Sequence, residues 1–482
     1  MVLIDSPLRK REDVMESGAA CLGSRVDVLL SSATPEETQE HYQKLCGDSF
    51  EVRHSTPDEK GKGLFATRDL PGDSVLLHES PLVAIQEVDS RTGAVVCSHC
   101  LEHVGGLEYQ LSWWLMNMKS EEEDEELGVV QRALMEGFLH FPFAEHLQKS
   151  PPVMCSNVCG DIYCSEKCRA DAWGEYHQLL CVGPTNSEEE TSEIRFEHAQ
   201  NMIRNGNRGM ASIPELCIDQ PAMQEFEKFS LQTNGIFLLA ARLYAKVLMK
   251  SVKILEQNEV HLSAASEQEC WEALLEAWVP VKHAWKVIWW EGVAIPEDVT
   301  DGEEFRNDLR NLSTHAVQLL QSAIPASEQF PALFHPKVFA SVIGMFEQNN
   351  LTIDVPSPLE LYLDDLDEGE HKTLHSLGIV KDLLSEAAEF PLEGTGYFPI
   401  TCCINHSCVP NAMAIRRTGE DKDRNVSLIS LRNISKGEEI CIAYVDIDLE
   451  LHERETLLRD YGFSCRCDKC TKERKAAVLP KW

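Results

Sequence analysis

The chain has 482 residues, enough to bury a large core and to hold about two to four domains. Hydrophobic residues at 43% and aromatics at 7% are ordinary for a globular protein, so folded structure is expected nearly throughout. Against 44 basic residues stand 79 acidic ones, and the net charge of −35 argues against direct binding to nucleic acid or anionic membrane; it suits a basic partner, or serves solubility alone.

The first residues, Met1-Val2-Leu3-Ile4-Asp5-Ser6-Pro7, carry no secretory h-region, so most of the 18 cysteines are expected to be reduced. Arg9-Lys10-Arg11 is a weak nuclear-import signal or simply a solvated end. A first helix is predicted from Pro35 to Cys46 behind a Thr34-Pro35 start. Lys60-Gly61-Lys62-Gly63-Leu64-Phe65 follows, whose glycines permit a close backbone approach or merely a hairpin turn. It lacks the spacing of a phosphate loop. Ser74 to Glu79 then reads as a strand.

Four close pairs come next: Cys97-x2-Cys100, Cys155-x3-Cys159, Cys164-x3-Cys168 and His177-x3-Cys181. Eight ligands are what two tetrahedral zinc ions require, and a close pair lets one turn present two ligands to one ion. The alternative is a set of buried free thiols. Between the first and second pairs lies an insertion containing Glu121-Glu122-Glu123-Asp124-Glu125-Glu126, an acidic loop rather than core. Asn186 to Glu193 is a second polar stretch.

Residues 194 to 330 are helical by pattern. The apolar run Ile236 to Met249 is interrupted by Arg242 and Lys246 and is too short to span a bilayer, so an amphipathic core helix and no membrane span are expected. Trp285, Trp289 and Trp290 read as core where helices meet, with an aromatic binding box as the alternative. A helix from Glu303 to Ala323 is predicted after the Gly292 to Pro296 turn. A further helix through Ser341 to Phe346 ends at Glu347-Gln348-Asn349-Asn350, with strand-like Leu351-Thr352-Ile353 behind it. Asp364-Asp365-Leu366-Asp367-Glu368 forms another acidic patch.

The chemistry concentrates at the C-terminal end. Asn405-His406-Ser407-Cys408-Val409-Pro410-Asn411 reads as a polar hairpin. Strands are expected at Asn425–Leu431 and Glu439–Tyr444, a helix at Glu450–Tyr461, and then Cys465-x-Cys467-x2-Cys470. Cys408 and the last three cysteines make a third four-sulfur set. That leaves seven cysteines, including Cys402, Cys403 and Cys441, which read as buried structural thiols.

Taken in order, Gly61-Lys62-Gly63-Leu64-Phe65, Asn405-His406-Ser407-Cys408-x-Pro410-Asn411, Gly437-Glu438-Glu439-Ile440, Tyr444 and the closing cysteines resemble a SET-domain lysine methyltransferase. With the eight-ligand module inserted early, the order is similar to the SET-and-MYND family. Within it, the Trp-Trp pair and the Gly-Met-Phe-Glu-x-Asn-Asn-Leu stretch resemble the plant-type trithorax-related SET proteins with a MYND-like finger. The resemblance spans roughly residues 55 to 472.

It implies an α+β fold in which a SET-domain β-fold is split by the inserted zinc module and a helical insertion, and closed by a zinc-binding post-SET segment. The expected divisions are 1–48, an N-terminal helical extension; 49–96, the N-terminal part of SET; 97–181, the MYND-like module; 182–335, the helical insertion; 336–446, the catalytic core; and 447–482, post-SET. It implies S-adenosylmethionine as methyl donor, with Lys62, Gly63, Asn349, Asn405, His406, Tyr444 and Phe463 at the cofactor. Tyr444 is the implied catalytic tyrosine, and Phe398 and Tyr461 are candidates for the lysine channel. Three zinc ions are implied: one on Cys97, Cys100, Cys164 and Cys168, one on Cys155, Cys159, His177 and Cys181, and one on Cys408, Cys465, Cys467 and Cys470.

The substrate implied is a histone or another basic protein, with H3 in chromatin foremost and the nucleus, with the cytoplasm also open, as location. A partner protein at the MYND-like module is a further expectation. The rival readings are a non-histone lysine methyltransferase and a non-catalytic zinc adaptor on a SET scaffold.

Overall fold

The computed structural model describes residues 21–54, 61–117, 141, 147, 151–184, 212–296, 298–355, 357–369, 387, 390, 392–417 and 424–478. The Arg9–Arg11 cluster, the Glu121–Glu126 run and the Asn186–Glu193 stretch lie outside them.

Helix α1 (Pro35–Cys46) begins where the sequence puts it, because Thr34 and Glu37 close a reciprocal capping box and a proline occupies the first turn. Strand β1 (Phe50–His54) pairs antiparallel with β2 (Lys62–Ala66). Strands β3 (Val75–Glu79) and β4 (Val83–Gln86) then lead into the zinc module, which holds the small β5–β6 hairpin (Val153–Met154 and Ile162–Tyr163) and helix α2 (Glu166–Glu175).

The helical insertion is built on α3 (Gln220–Thr233), α4 (Ile236–Gln257), α5 (Glu267–Lys282) and α6 (Gly302–Ala323), followed by α7 (Pro336–Asn349). Helix α4 is the buried centre of this layer, with fourteen of its 22 residues in the core. The two charges that interrupt its apolar run are the joints of the molecule. Arg242 donates to Ala84 O on β4 at 2.6 Å and to Ser98 O in the zinc module at 3.1 Å. Lys246 donates to Leu82 O at 3.0 Å and to Glu175 at 3.1 Å. Their stems stay in apolar surroundings while their heads satisfy carbonyls of two other elements. Among the described residues no helix is long and apolar enough to cross a membrane.

Three small sheets carry the C-terminal half. Strands β7 (Leu351–Asp354) and β8 (Glu393–Tyr397) join β4 in the order β4-β8-β7; β10 (Ala412–Ile415), β11 (Val426–Ser430) and β3 form the second. The third has the order β1-β2-β12-β9, with β9 at Asn405–His406 and β12 at Glu439–Ile442. The polar hairpin expected at Asn405–Asn411 is absent. Asn405 and His406 instead pair parallel with Cys441 and Ile442, so the motif threads beside a strand thirty-odd positions later. Helices α8 (Leu451–Asp460) and α9 (Asp468–Val478) close the fold.

Trp289 and Trp290 are buried as expected, but Trp285 is 53% exposed. It sits just beyond α5, where its indole N–H donates to Gln348 at 3.3 Å, so this member of the trio belongs to the surface. Of the seven remaining cysteines, Cys21 and Cys217 are exposed, which corrects the expectation of uniform burial.

The C-terminal end of α5 is capped from outside by two lysines. Lys286 donates to Val281 O at 2.8 Å and Lys282 O at 3.3 Å, and Lys62 donates to His283 O, so cations meet the unpaired carbonyls and the negative end of the helix dipole. Burial first, and the charges of Lys62 and Lys282 after it, bring the Lys286 amine down to about 7. Because the unfolded chain then binds more protons between about pH 7 and 10.5, stability should climb with pH across that window, with the cost fully present below it. Lys286→Met should flatten the rise in melting temperature between pH 7 and 9; an unchanged slope would show that this amine is not the source.

Candidate active site and zinc centres

The site forms where β2, β9 and β12 meet. Gly61 has φ +74°, a left-handed turn, and Gly63 answers a different need. A Cβ there would lie 2.8 Å from Glu439 Oε1 and 3.1 Å from Asn405 Nδ2. Asn405 donates to Lys62 O at 3.0 Å and to Glu439 at 2.7 Å, so its amide crosses from β9 to β2 through the space that the missing side chain leaves.

Lys62 is held differently from a cofactor-facing cation. Its ammonium is directed to His283 O and lies 5.5 Å from the Tyr42 ring, and burial lowers its pKa. Asn349, at the end of α7, donates to Met345 O at 2.6 Å and Trp285 O at 3.4 Å. This brings the exposed indole of Trp285 beside the candidate pocket, a neighbour that sequence periodicity had assigned to the core.

Tyr444, His406, Phe463 and Tyr461 come together. Tyr444 lies 5.1 Å from Tyr461, 5.4 Å from His406 and 6.3 Å from Phe463 between ring centroids, and His406 lies 6.0 Å from Phe463. The Tyr444 hydroxyl donates to Ile404 O at 2.5 Å, and its backbone N–H donates to His406 Nδ1 at 3.0 Å. Phe398 does not join them. It is fully buried in a different core, among Ala84, Leu101, Ile353 and Val426. Tyr397 and Phe398 are successive residues at the end of a strand and bury to different cores, Tyr397 against Phe346 at 6.2 Å. Phe398 therefore stands apart from the Tyr444, Tyr461 and Phe463 group.

Asn411, the last residue of the motif, has a structural role that the sequence left blank. Its Nδ2 donates to Glu438 at 3.0 Å and Glu439 O at 2.8 Å, and its Oδ1 accepts from Cys441 N at 2.8 Å. It holds the edge of β12 from outside the ladder.

Three sets of metal-ligating atoms stand in the described residues, each within 4.8 Å of one another: Cys97, Cys100, Cys164 and Cys168; Cys155, Cys159, His177 and Cys181; Cys408, Cys465, Cys467 and Cys470. These are the groupings the resemblance implied, with the first two interleaved along the chain. A tetrahedral zinc with Zn–S of about 2.3 Å sets sulfurs roughly 3.8 Å apart. The observed separations are 3.5 Å for Cys100–Cys164, 3.8 Å for Cys155–Cys181 and 3.9 Å for Cys408–Cys465, which fit zinc and are far too long for disulfides. The wide Cys155-x3-Cys159 interval is absorbed by a turn in which Val158 takes φ +57° and its N–H bonds Cys155 O at 3.0 Å.

Two of the three sites have outer support that spacing alone did not reveal. His177 turns Nε2 toward Cys155 at 3.3 Å and Cys159 at 3.4 Å, while Nδ1 meets Asp161 at 3.2 Å. Burial by itself would lower its pKa; the Asp161 carboxylate and the facing sulfurs outweigh that and raise it to about 10. Such an electron-rich cage favours a cation, and a carboxylate behind a ligating imidazole fixes its tautomer. Asp161→Asn should weaken zinc retention at this site by about tenfold or more in a chelator competition. Retention equal to wild type would remove Asp161 from the site. At the C-terminal set, buried Arg454 reaches Cys470 Sγ at 3.6 Å and pairs with Glu473, supplying positive charge beside four thiolates.

A SET domain matches residues 61–445, four-fifths of the chain, and that span holds Lys62, Gly63, Asn349, Asn405, His406 and Tyr444 and the first two cysteine-rich sets. The chain belongs to the SET-domain protein-lysine methyltransferases. Histone-lysine N-methyltransferase ATXR2 of Arabidopsis thaliana is 34% identical over 93% of this chain and 96% of its own. Protein-lysine N-trimethyltransferase SMYD5 of Gallus gallus is 28% identical over 85% of this chain and 83% of its own. Histone-lysine N-methyltransferase Smyd1 of Mus musculus is 28% identical over a shorter stretch, 27% of this chain. This SET domain is thus of the SET-and-MYND type, and the protein is a lysine methyltransferase.

Proposed function

We propose that this methyltransferase modifies lysines of histone tails, H3 among them, in the nucleus, with S-adenosylmethionine as methyl donor and three structural zinc ions. The observation that carries the methyl-transfer chemistry is the placement of Tyr444, grouped with His406, Tyr461 and Phe463 and bonded through its hydroxyl to Ile404 O. Burial first, then the nearby Cys402 thiol and Tyr461, push its phenol well above its ordinary 10.0, so it keeps its proton. It serves as an oriented neutral group and not as a base. With its proton directed to Ile404 O, the oxygen is left to accept a hydrogen bond from a substrate amine.

The donor set suits the cofactor. Aromatic faces of Tyr444 and Phe463 and the neutral amides of Asn349 and Asn405 suit an adenosine and a sulfonium. When bound, S-adenosylmethionine would supply a sulfonium-activated methyl group that an uncharged amine can accept, the C–S bond breaking as the N–C bond forms and S-adenosylhomocysteine leaving as the neutral thioether. A free lysine, with a pKa of about 10.4, is almost wholly protonated at neutral pH. Desolvation between Tyr444 and Tyr461, together with the neighbouring sulfonium charge, would disfavour its ammonium form and promote loss of the proton to water, and Tyr444 then orients the amine.

The histone assignment is supported by the −35 net charge, which attracts a basic tail, and by the names of the relatives. The MYND-like module is the proposed docking surface for a partner protein. A methyl-transfer screen over histone and non-histone peptides, with nuclear fractionation of the tagged protein, tests both parts. Preferred labelling of histone peptides and a nuclear pool are expected; exclusive labelling of non-histone peptides would move the substrate.

A further inference from the structure

The imidazole of His406 has two partners whose chemistry fixes its role. Tyr444 N lies 3.0 Å from Nδ1, and an amide N–H can only donate, so Nδ1 is the acceptor and carries no proton. The ring proton of the neutral imidazole is therefore on Nε2, which lies 3.2 Å from Cys408 Sγ. Cys408 is one of the four sulfurs of the C-terminal zinc set, so the bond is N–H to thiolate, from outside the ligand shell. The ring is 4% exposed and packed between Tyr444 and Phe463, which leaves it little freedom to exchange these partners for water.

The chain geometry sharpens this. Tyr444 is held at both ends by a single short segment: its hydroxyl by Ile404 O and its N–H by His406. Asn405 lies between them and reaches across to Lys62 O. Ser407 N continues the pairing with β12 by bonding Ile442 O at 2.9 Å, and the next residue is the zinc ligand. Position of the phenol, shape of the candidate cofactor wall and occupancy of the metal site thus all run through residues 404–408.

We infer that His406 is a positioning residue that transmits the C-terminal zinc site to Tyr444, through Nε2–H to the Cys408 thiolate and Nδ1 to the Tyr444 backbone. This rests on the proposed roles of Tyr444 and of zinc. With Cys408 bound to metal, its sulfur stays fixed and negative, and the ring is locked. Loss of metal frees the sulfur, makes it a weaker acceptor for Nε2–H and loosens the hold on the Tyr444 N–H with it.

The test compares wild type, His406→Leu and His406→Gln, each as the full chain. Glutamine keeps one acceptor and one donor; leucine keeps neither. In the cobalt-substituted proteins a hydrogen bond to a ligating sulfur moves its sulfur-to-metal charge-transfer band to higher energy. His406→Leu should shift that band to lower energy in a difference spectrum, with three metal ions still bound, and His406→Gln should restore part of the shift. In turnover, leucine should lower kcat by about 10- to 100-fold with little change in KM for S-adenosylmethionine, and glutamine should recover part of the loss. An unmoved cobalt band in the leucine variant, or a glutamine variant no better than leucine by both readouts, overturns the proposal. The spectral arm needs no turnover, so a wild type inactive on every substrate would refute the substrate reading while leaving this inference to be decided by the band. Melting curves identify a variant that has failed to fold; in that case the glutamine protein alone decides, and a wild-type-like band with wild-type kcat supports the relay while loss of both overturns it.

Discussion

Tyr444→Phe should reduce methyl transfer by about 100-fold or more while leaving S-adenosylmethionine binding nearly intact. The substitution removes one oxygen. It takes away the group that orients the amine and leaves Ile404 O without its 2.5 Å donor, at a stability cost of about 1 kcal/mol, small enough for the fold to survive. Because the phenol is held neutral by burial, the loss should be nearly constant from pH 7 to 9; a variant whose deficit grew steeply with pH would point to a phenolate base instead. Steady-state kinetics with product quantification, beside calorimetric titration of the cofactor, separates the two effects.

Cys408→Ser carries the second large expectation. A serine hydroxyl is a poor zinc ligand beside three thiolates, so bound zinc should fall from three ions per chain to two. Affinity for S-adenosylmethionine should fall in the same protein, because loss of the metal releases the C-terminal cysteines and with them Phe463, which packs against them and is proposed at the cofactor, whereas His406→Leu keeps all three ions. Arg454 would face a site with one fewer thiolate while its own guanidinium stays buried, adding to the instability of the 451–478 segment. Zinc lost with cofactor affinity unchanged would show that the wall stands without the metal.

Local signals in the sequence located most elements. Thr34 and Glu37 announce the start of a helix because both members of the capping box lie within one turn. The four close cysteine and histidine pairs announce two metal ions because each pair is a local unit, and the interleaved grouping carried by the family resemblance matches the geometry. What sequence could not display was pairing between distant segments. Asn405 and His406 form a parallel ladder with β12, yet nothing in a polar heptapeptide separates that from a hairpin. Side-chain direction was equally hidden: His406 belongs to the motif, but its ring faces a sulfur and a backbone amide, and Lys62 spends its charge on the end of α5. The surroundings of the Phe398 and Trp285 rings were hidden for a related reason, since an aromatic residue next to a strand or helix end reads the same whether its ring meets the core, the pocket or water.

Arg242 and Lys246 show the reverse case. As interruptions of an apolar run they argued for an amphipathic core helix, and the same interruptions join that helix to β4 and to the zinc module. The charge pattern carried more architecture than its use as a membrane test extracted.

The most direct test incubates zinc-replete protein with nucleosomes or free histones and methyl-labelled S-adenosylmethionine, then follows S-adenosylhomocysteine formation and maps the label by mass spectrometry. Label on a lysine ε-amine, lost in Tyr444→Phe, is the predicted result. Label that persists at the wild-type rate in Tyr444→Phe would contradict the account.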